Sequence, residues 1–296
     1  MDEILFFEKP KLHQPYLIIG FEGWPNAAEV SSTALGYLIE HLNGRPFASI
    51  PLESFYQLST LRPVGIIKEG RLVELKFPGN HFYYSKTPHS NDLILFQGIE
   101  PHLHWARFVQ LLLDLAEEFG VSQIVTLGGT YDYIPHTQPP LVSALFNHED
   151  MKERVIQAGL GLTDYMGPIS IHTFILEASK KRGLKAVSLW GHAPQYLQTK
   201  NVKVVRSVLR HLVRLIQIEM DLTEIEKASD YFDQQVNSLV REDPKLREII
   251  ERLEEAYQGA DHPASPFEKE GRSKEEKVVY LQAFFKKQED EEKKEG

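Results

Sequence analysis

One stretch constrains the fold more than any other: Tyr16-Leu17-Ile18-Ile19-Gly20-Phe21-Glu22-Gly23-Trp24-Pro25-Asn26-Ala27-Ala28-Glu29. Its apolar start runs into Gly20 without a polar interruption. Such a run reads as a strand buried on both faces, the mark of a parallel sheet covered by helices. Gly20, Gly23 and Pro25 then follow within six residues and mark a tight strand-to-helix turn. In open parallel sheets, turns of this kind lie at the carboxyl ends of the strands, where ligands and partners bind. Functional residues are therefore sought around this turn.

Downstream, strands and helices alternate. A helix is expected over about 26–42, with Asn26 as N-cap and Ala27, Ser31, Ala34, Leu35, Leu38 and Leu42 on one apolar face. Residues 47–51 suggest a strand, 64–67 and 71–76 a β-hairpin around Gly70, and 81–84 another strand. Leu93–Phe96 is a short apolar run, and a helix is expected over about 102–119. A strand over 121–127 should stop at Gly128-Gly129, and Leu141–Leu145 is a further strand candidate. A helix should start near Gly167-Pro168 and end at Gly183, followed by a strand over 184–189 and a helix over about 201–220. Alternation of this kind implies parallel pairing, and the hairpin implies an antiparallel edge. The fold class is α/β.

Two more helices follow. Ile225, Ala228, Phe232, Val236 and Leu239 make one seam, and Leu246, Ile249, Ile250, Leu253 and Tyr257 the facing one. Asp243-Pro244 suits a helix start, and the short link predicts an antiparallel hairpin. From Ala264 on, mixed charges suggest a flexible tail with one weak helix over 274–287. The chain divides into an α/β domain over 1–225, the helical hairpin over 226–262 and the tail over 263–296.

Composition narrows the function. The chain has 296 residues with 42% hydrophobic content, enough for a full-sized core. It has no Cys, which excludes disulfides, thiolate metal sites and Cys nucleophiles and fits a reducing cytoplasm. No signal-like N-terminus or membrane-length apolar run is present, so a cytoplasmic protein with no membrane role is expected. A net charge of -9 argues against a nucleic-acid partner.

The strand-end turns carry many polar residues but no Lys or Arg within 20–29, 96–104 or 127–140. A phosphate would have to rely on backbone amides and helix N-termini, which counts against a nucleotide or phosphorylated substrate. No P-loop, GxGxxG, GxSxG or HExxH motif is present. Glu100, His102 and His104 offer a metal seed, but residues two apart on a helix face different ways, so no metal is expected. Pro135 and Pro139 stiffen the segment that holds His136 and Thr137. His136 is a candidate acid or base, with Asp132 or Glu22 to orient it, or else a structural histidine that holds the turn. His192 sits just past a strand and reaches the same edge, as a site residue or a buried hydrogen-bonding one. His172 reads as core. The catalytic candidates are thus Glu22, Asp132, His136 and His192. Trp24, Tyr131 and Thr137 are the candidate ligand contacts, with Trp24 or Tyr131 able to stack on a base or sugar.

Several turns together carry a likeness. Gly20–Ala27, Arg62-Pro63, Gly98-Ile99-Glu100-Pro101, Leu127-Gly128-Gly129, Pro135-His136-Thr137, Tyr165-Met166-Gly167-Pro168 and Leu189-Trp190-Gly191-His192-Ala193-Pro194 resemble, in this order, the proteasome assembly chaperone family. The likeness is to the type named after the second eukaryotic chaperone, which has archaeal and bacterial members, and it covers about residues 15–225. The segment 230–258 resembles the extension of the bacterial subgroup. The resemblance implies a three-layer α/β/α sandwich with a mostly parallel mixed sheet, like that of purine nucleoside phosphorylases and hydrolases. It also implies self-association, a trimer first, and a role in binding or assembling other proteins, with no cofactor and no established enzymatic activity. Members that dock onto the proteasome often end in a hydrophobic-Tyr-X motif. This chain ends Lys294-Glu295-Gly296, and its last tyrosine is Tyr280, so docking by that route is not expected. Relatives commonly have Arg where this chain has Gln138, which removes an anion contact.

Two functions follow. One is a non-catalytic, assembly-chaperone-like protein that binds other proteins as a homo-oligomer. The alternative is a hydrolase, phosphorylase or small-molecule-binding enzyme that uses the strand-end pocket. The absent motifs favour the first.

Overall fold

The structure is a computed structural model that describes residues 3–87 and 91–258. The expected helix over 274–287 and the expected flexible tail lie outside the described residues.

The strands are β1 (Leu5–Phe6), β2 (Tyr16–Glu22), β3 (Arg45–Ile50), β4 (Val64–Lys68), β5 (Arg71–Lys76), β6 (Asn80–Ser85), β7 (Leu93–Ile99), β8 (Gln123–Asp132), β9 (Val142–Phe146), β10 (Gly161–Leu162) and β11 (Ala186–Pro194). The helices are α1 (Val30–His41), α2 (Trp105–Glu118), α3 (Lys152–Gln157), α4 (Ile171–Lys181), α5 (Val202–Ile216), α6 (Thr223–Glu242) and α7 (Pro244–Gln258). Nine strands form one mixed sheet in the order β1-β3-β6-β7-β2-β8-β11-β9-β10. Its centre, β7-β2-β8-β11, is parallel, and the flanking pairs are antiparallel except β9-β10. The expected α/β/α layering is what the sequence folds into.

β2 is the axis of the molecule, buried from Leu17 to Phe21. One face packs on α1, α3 and α5 through a core that includes Ile18, Val30, Leu35, Leu127, Val187, Val208 and Leu212. The other packs on α2 and α4 through an aromatic-rich core, with Phe21, Phe47, Phe55, Phe82, Phe96 and Phe108 fully buried. α1 lies so close on β2 that a Cβ on Gly20 would stand 3.0 Å from the Leu35 Cβ. Deep in the aromatic-rich side, the Thr126 and Ser188 hydroxyls bond at 2.7 Å across β8 and β11.

Several expected boundaries move. β8 does not stop at Gly128-Gly129 but continues to Asp132, and β11 continues past Leu189 to Pro194. The two extensions pair with each other through Pro194 and Asp132, so the glycines lie inside a ladder. α1 begins at Val30, after Ala28 and Glu29 take left-handed backbone angles. Asn26 still caps it from a distance, as its Oδ1 accepts the Ser32 N–H at 3.0 Å. α5 stops at Ile216 rather than near 220, because Gln217 is left-handed. Arg154, on the unanticipated α3, donates from Nε and Nη2 to the freed Leu215 carbonyl at 2.9 and 2.6 Å.

α6 and α7 form a helical hairpin, with Val236, Leu239, Leu246 and Ile250 buried against Tyr196 and Leu197. Asp243 caps α7, its Oδ1 accepting the Lys245 N–H at 2.9 Å. In the α6 seam, Ser229 is buried while Ala228 is exposed. Three ion pairs (Lys203–Asp233, Arg206–Asp230 and Arg210–Glu226) join α6 to α5.

Candidate functional site

The chain leaves β2 at its carboxyl end, where the connections diverge to opposite sides of the sheet, the usual position of a ligand crevice. Here the turn folds back onto the neighbouring strand β8. Asn26 bridges to Gly129 in parallel register, and the Gly129 N–H donates to the Pro25 carbonyl at 2.8 Å. A Cβ at Gly129 would stand 2.3 Å from the Ala27 carbonyl oxygen, so only glycine permits the contact. The Tyr131 hydroxyl accepts the Ala28 N–H at 3.2 Å, which ties Tyr131 to the turn. Glu22 is exposed at the end of β2, and Trp24 is 60% exposed.

Glu100 links this turn to α4. Its N–H donates to the Glu22 carbonyl at 2.9 Å, and its Oε1 accepts the Ile171 N–H at 2.9 Å, at the start of the helix. Burial raises the carboxyl pKa, and bonds from Ile171 and Trp24 N–H groups oppose that rise. His102 Nδ1 accepts the Gln57 N–H at 3.2 Å, and His104 takes a left-handed angle before α2. Among the described residues, no group of three or more potential metal ligands gathers.

Asp132 and His192 do come together. Asp132 ends β8, and His192 lies within β11 rather than past it. His192 Nδ1 stands 2.9 Å from Asp132 Oδ2, and its Nε2 stands 2.8 Å from Ser143 Oγ. Ser143, on β9, was not singled out in the sequence, because a lone serine in a short apolar run carries no signal until the strand order is known. Nearby, Trp190 packs over Gly128, and its Nε1 is buried without a partner. His172, fully buried on α4, lies 5.2 Å from the Trp190 ring, with neither ring nitrogen bonded. Burial pushes its pKa down to about 3.

His136 belongs to a separate cluster, so Asp132 does not orient it. Its Nδ1 and its backbone N–H meet the Tyr196 hydroxyl at 2.7 and 2.6 Å, and its Nε2 lies 3.4 Å from Asn237 Oδ1 on α6. Burial lowers its pKa, which the Asn237 bond opposes. Lys203 Nζ donates to the His136 carbonyl at 2.7 Å, so a cation from α5 reaches a loop that has none of its own. Thr137 donates to Glu254 on α7. The rigid 135–139 segment is thus the seat of the helical hairpin.

A run of exposed apolar side chains lies elsewhere. Among the described residues β4 and β5 pair only with each other, as a two-stranded arm inserted between β3 and β6. On or just past the arm, Val64, Ile67, Leu72, Val73, Leu75 and Phe77 are 48–67% exposed. The sequence showed the hairpin but not that it stands apart. No described helix is long and apolar enough to cross a membrane.

A family model described as the PAC2 family matches residues 20–240. A PAC2 family protein from Streptomyces avermitilis is 30% identical, with a TM-score of 0.72 over 80% of this chain and 99% of that one. A proteasome-assembly chaperone homologue from Mycobacterium tuberculosis is 27% identical, with a TM-score of 0.73 over 79% and 99%. A protein of unknown function from Corynebacterium glutamicum, 20% identical, shares the fold with a TM-score of 0.80 over 86% and 97%. No curated protein matches the chain.

Proposed function

We propose that this chain, which belongs to the PAC2 family, is an assembly-chaperone-like protein that binds other proteins as a homo-oligomer. A trimer is the first expectation, and the role needs no chemistry of its own. The β4–β5 arm carries the reading. An isolated two-stranded hairpin is marginal in water, and contiguous exposed apolar groups mark contact surfaces. Six such side chains on or beside one unsupported hairpin gain most if another chain covers them. Two further observations support binding over catalysis. The strand-end turn is tied to β8 by its own backbone, through the Gly129 N–H and the Pro25 carbonyl. The Mycobacterium neighbour is itself described as a proteasome-assembly chaperone homologue. The α/β unit supplies the scaffold, the α6–α7 hairpin closes over the His136 loop through Asn237 and Glu254, and the cytoplasm is the expected site of action. Size-exclusion chromatography with light scattering should give an oligomer, and affinity purification should recover a protein partner. A strict monomer that recovers none refutes the proposal.

A further inference from the structure

Beyond that binding role, we infer that Ser143, His192 and Asp132 form a nucleophilic site in which Ser143 Oγ accepts an acyl group from an ester. The three residues come from β9, β11 and β8, and strand order alone brings them together. Trp190 is paired with Ser143, Thr130 with His192, and Asp132 with Pro194, which sets all three side chains on one face. His192 Nδ1 meets Asp132 Oδ2 at 2.9 Å, and Nε2 meets Ser143 Oγ at 2.8 Å. A carboxylate only accepts, so Nδ1 is the protonated nitrogen and Nε2 is the base that faces the hydroxyl. The Tyr133 N–H, at 2.7 Å from Asp132 Oδ1, holds the other carboxylate oxygen. Nucleophile, base and orienting acid therefore stand in the order that acyl transfer needs, which is recognised by geometry and not by position in the chain.

Two further observations point to a reacting group. Ser143 is 5% exposed, and the His192 and Asp132 side chains are 14% and 13% exposed, so the relay lies at the edge of the core and not in its depth. Trp190, opposite Ser143 in register, holds a buried Nε1–H with no acceptor. A buried donor left unpaired is costly, and in this proposal the oxyanion formed at Ser143 is its acceptor.

In the reaction, the Ser143 Oγ–H proton passes to His192 Nε2 as Oγ attacks the ester carbonyl carbon. The bond from that carbon to the alkoxy oxygen breaks, and the proton moves from Nε2 to the leaving alkoxide. Water then repeats the sequence, releasing the carboxylic acid and restoring the serine. Nothing is oxidised or reduced.

The test treats the full chain with a fluorophosphonate probe and with p-nitrophenyl acetate, followed by peptide mass mapping. The expected result is an adduct on Ser143 that Ser143→Ala abolishes. His192→Gln and Asp132→Asn should slow labelling about 100-fold. Circular dichroism and Tm check that each variant is folded. An unlabelled Ser143 in the native chain, labelling confined to other residues, or an unchanged rate in folded His192→Gln overturns the inference.

Discussion

His172 is the group through which acid should weaken this fold. It lies on α4 between the Phe21 and Trp190 rings, at 5.6 and 5.2 Å, with no solvent exposure and no partner for either nitrogen. Burial holds its pKa at about 3 in the native chain, against an ordinary histidine value of 6.5. Between those values the unfolded chain binds a proton that the native chain does not. The contribution to stability is therefore full above about pH 6.5, falls as the pH drops, and stops changing near the native value. At pH 4.5, two units below the unfolded value, the loss is about 2–3 kcal/mol at about 1.4 kcal/mol per unit. His172→Phe keeps a flat ring, removes both unbonded nitrogens and cannot titrate. Urea unfolding of both proteins, at one protein concentration, should be measured at pH 7.5 and 4.5. The native chain should lose about 2–3 kcal/mol more than the variant between the two pH values. Other buried histidines, such as His136, are common to both proteins and cancel. An equal loss in the two proteins refutes the reasoning.

Three further outcomes follow from the same geometry. Tyr196→Phe removes the hydroxyl that meets His136 at two points and should cost about 1–3 kcal/mol by leaving the buried His136 N–H unpaired, read by denaturant unfolding. Gly129→Ala places a Cβ against the Ala27 carbonyl and should cost about 2–3 kcal/mol or more, read as a fall in Tm. Thr126→Val and Ser188→Ala should each cost about 1–2 kcal/mol, because each strands a buried hydroxyl. The double variant should cost at least about 1 kcal/mol less than the sum, and simple additivity would contradict that hydrogen bond.

Much of the architecture was legible because β2 and β7 carry the unbroken apolar runs of a buried parallel sheet, β8 and β11 carry runs broken only by Thr126 and Ser188, and α1, α2, α4 and α5 carry apolar faces. The errors have local causes. Gly128 and Gly129 look like terminators, but each serves close packing inside a strand, one under Trp190 and one against the Ala27 carbonyl. α3 is six residues of mostly polar sequence and gives no clear period. In the site, Asp132 and His192 stood out, but the sequence paired Asp132 with the nearer His136. Only the order β8-β11-β9 shows that Asp132 meets His192 and that Ser143 meets its other nitrogen. His136 instead finds Tyr196 and Asn237, sixty and about a hundred residues away, which no local pattern encodes. The arm was legible as a hairpin, yet its Ile, Leu and Val content looks the same whether a hairpin is buried or bare.

The arm also gives the central claim its most direct test, the light-scattering mass of the full chain beside that of Ile67→Lys/Leu72→Glu. Those two side chains are 67% and 58% exposed, so the paired substitution should leave the isolated fold and its Tm intact. Forfeiting their burial in an interface costs about 3 kcal/mol, about 100-fold in the dissociation constant. The native chain should elute at a multiple of its chain mass, three copies first, and the variant should fall to one copy at the same concentration. A native chain that stays at one copy, or a folded variant that keeps the native mass, contradicts the account.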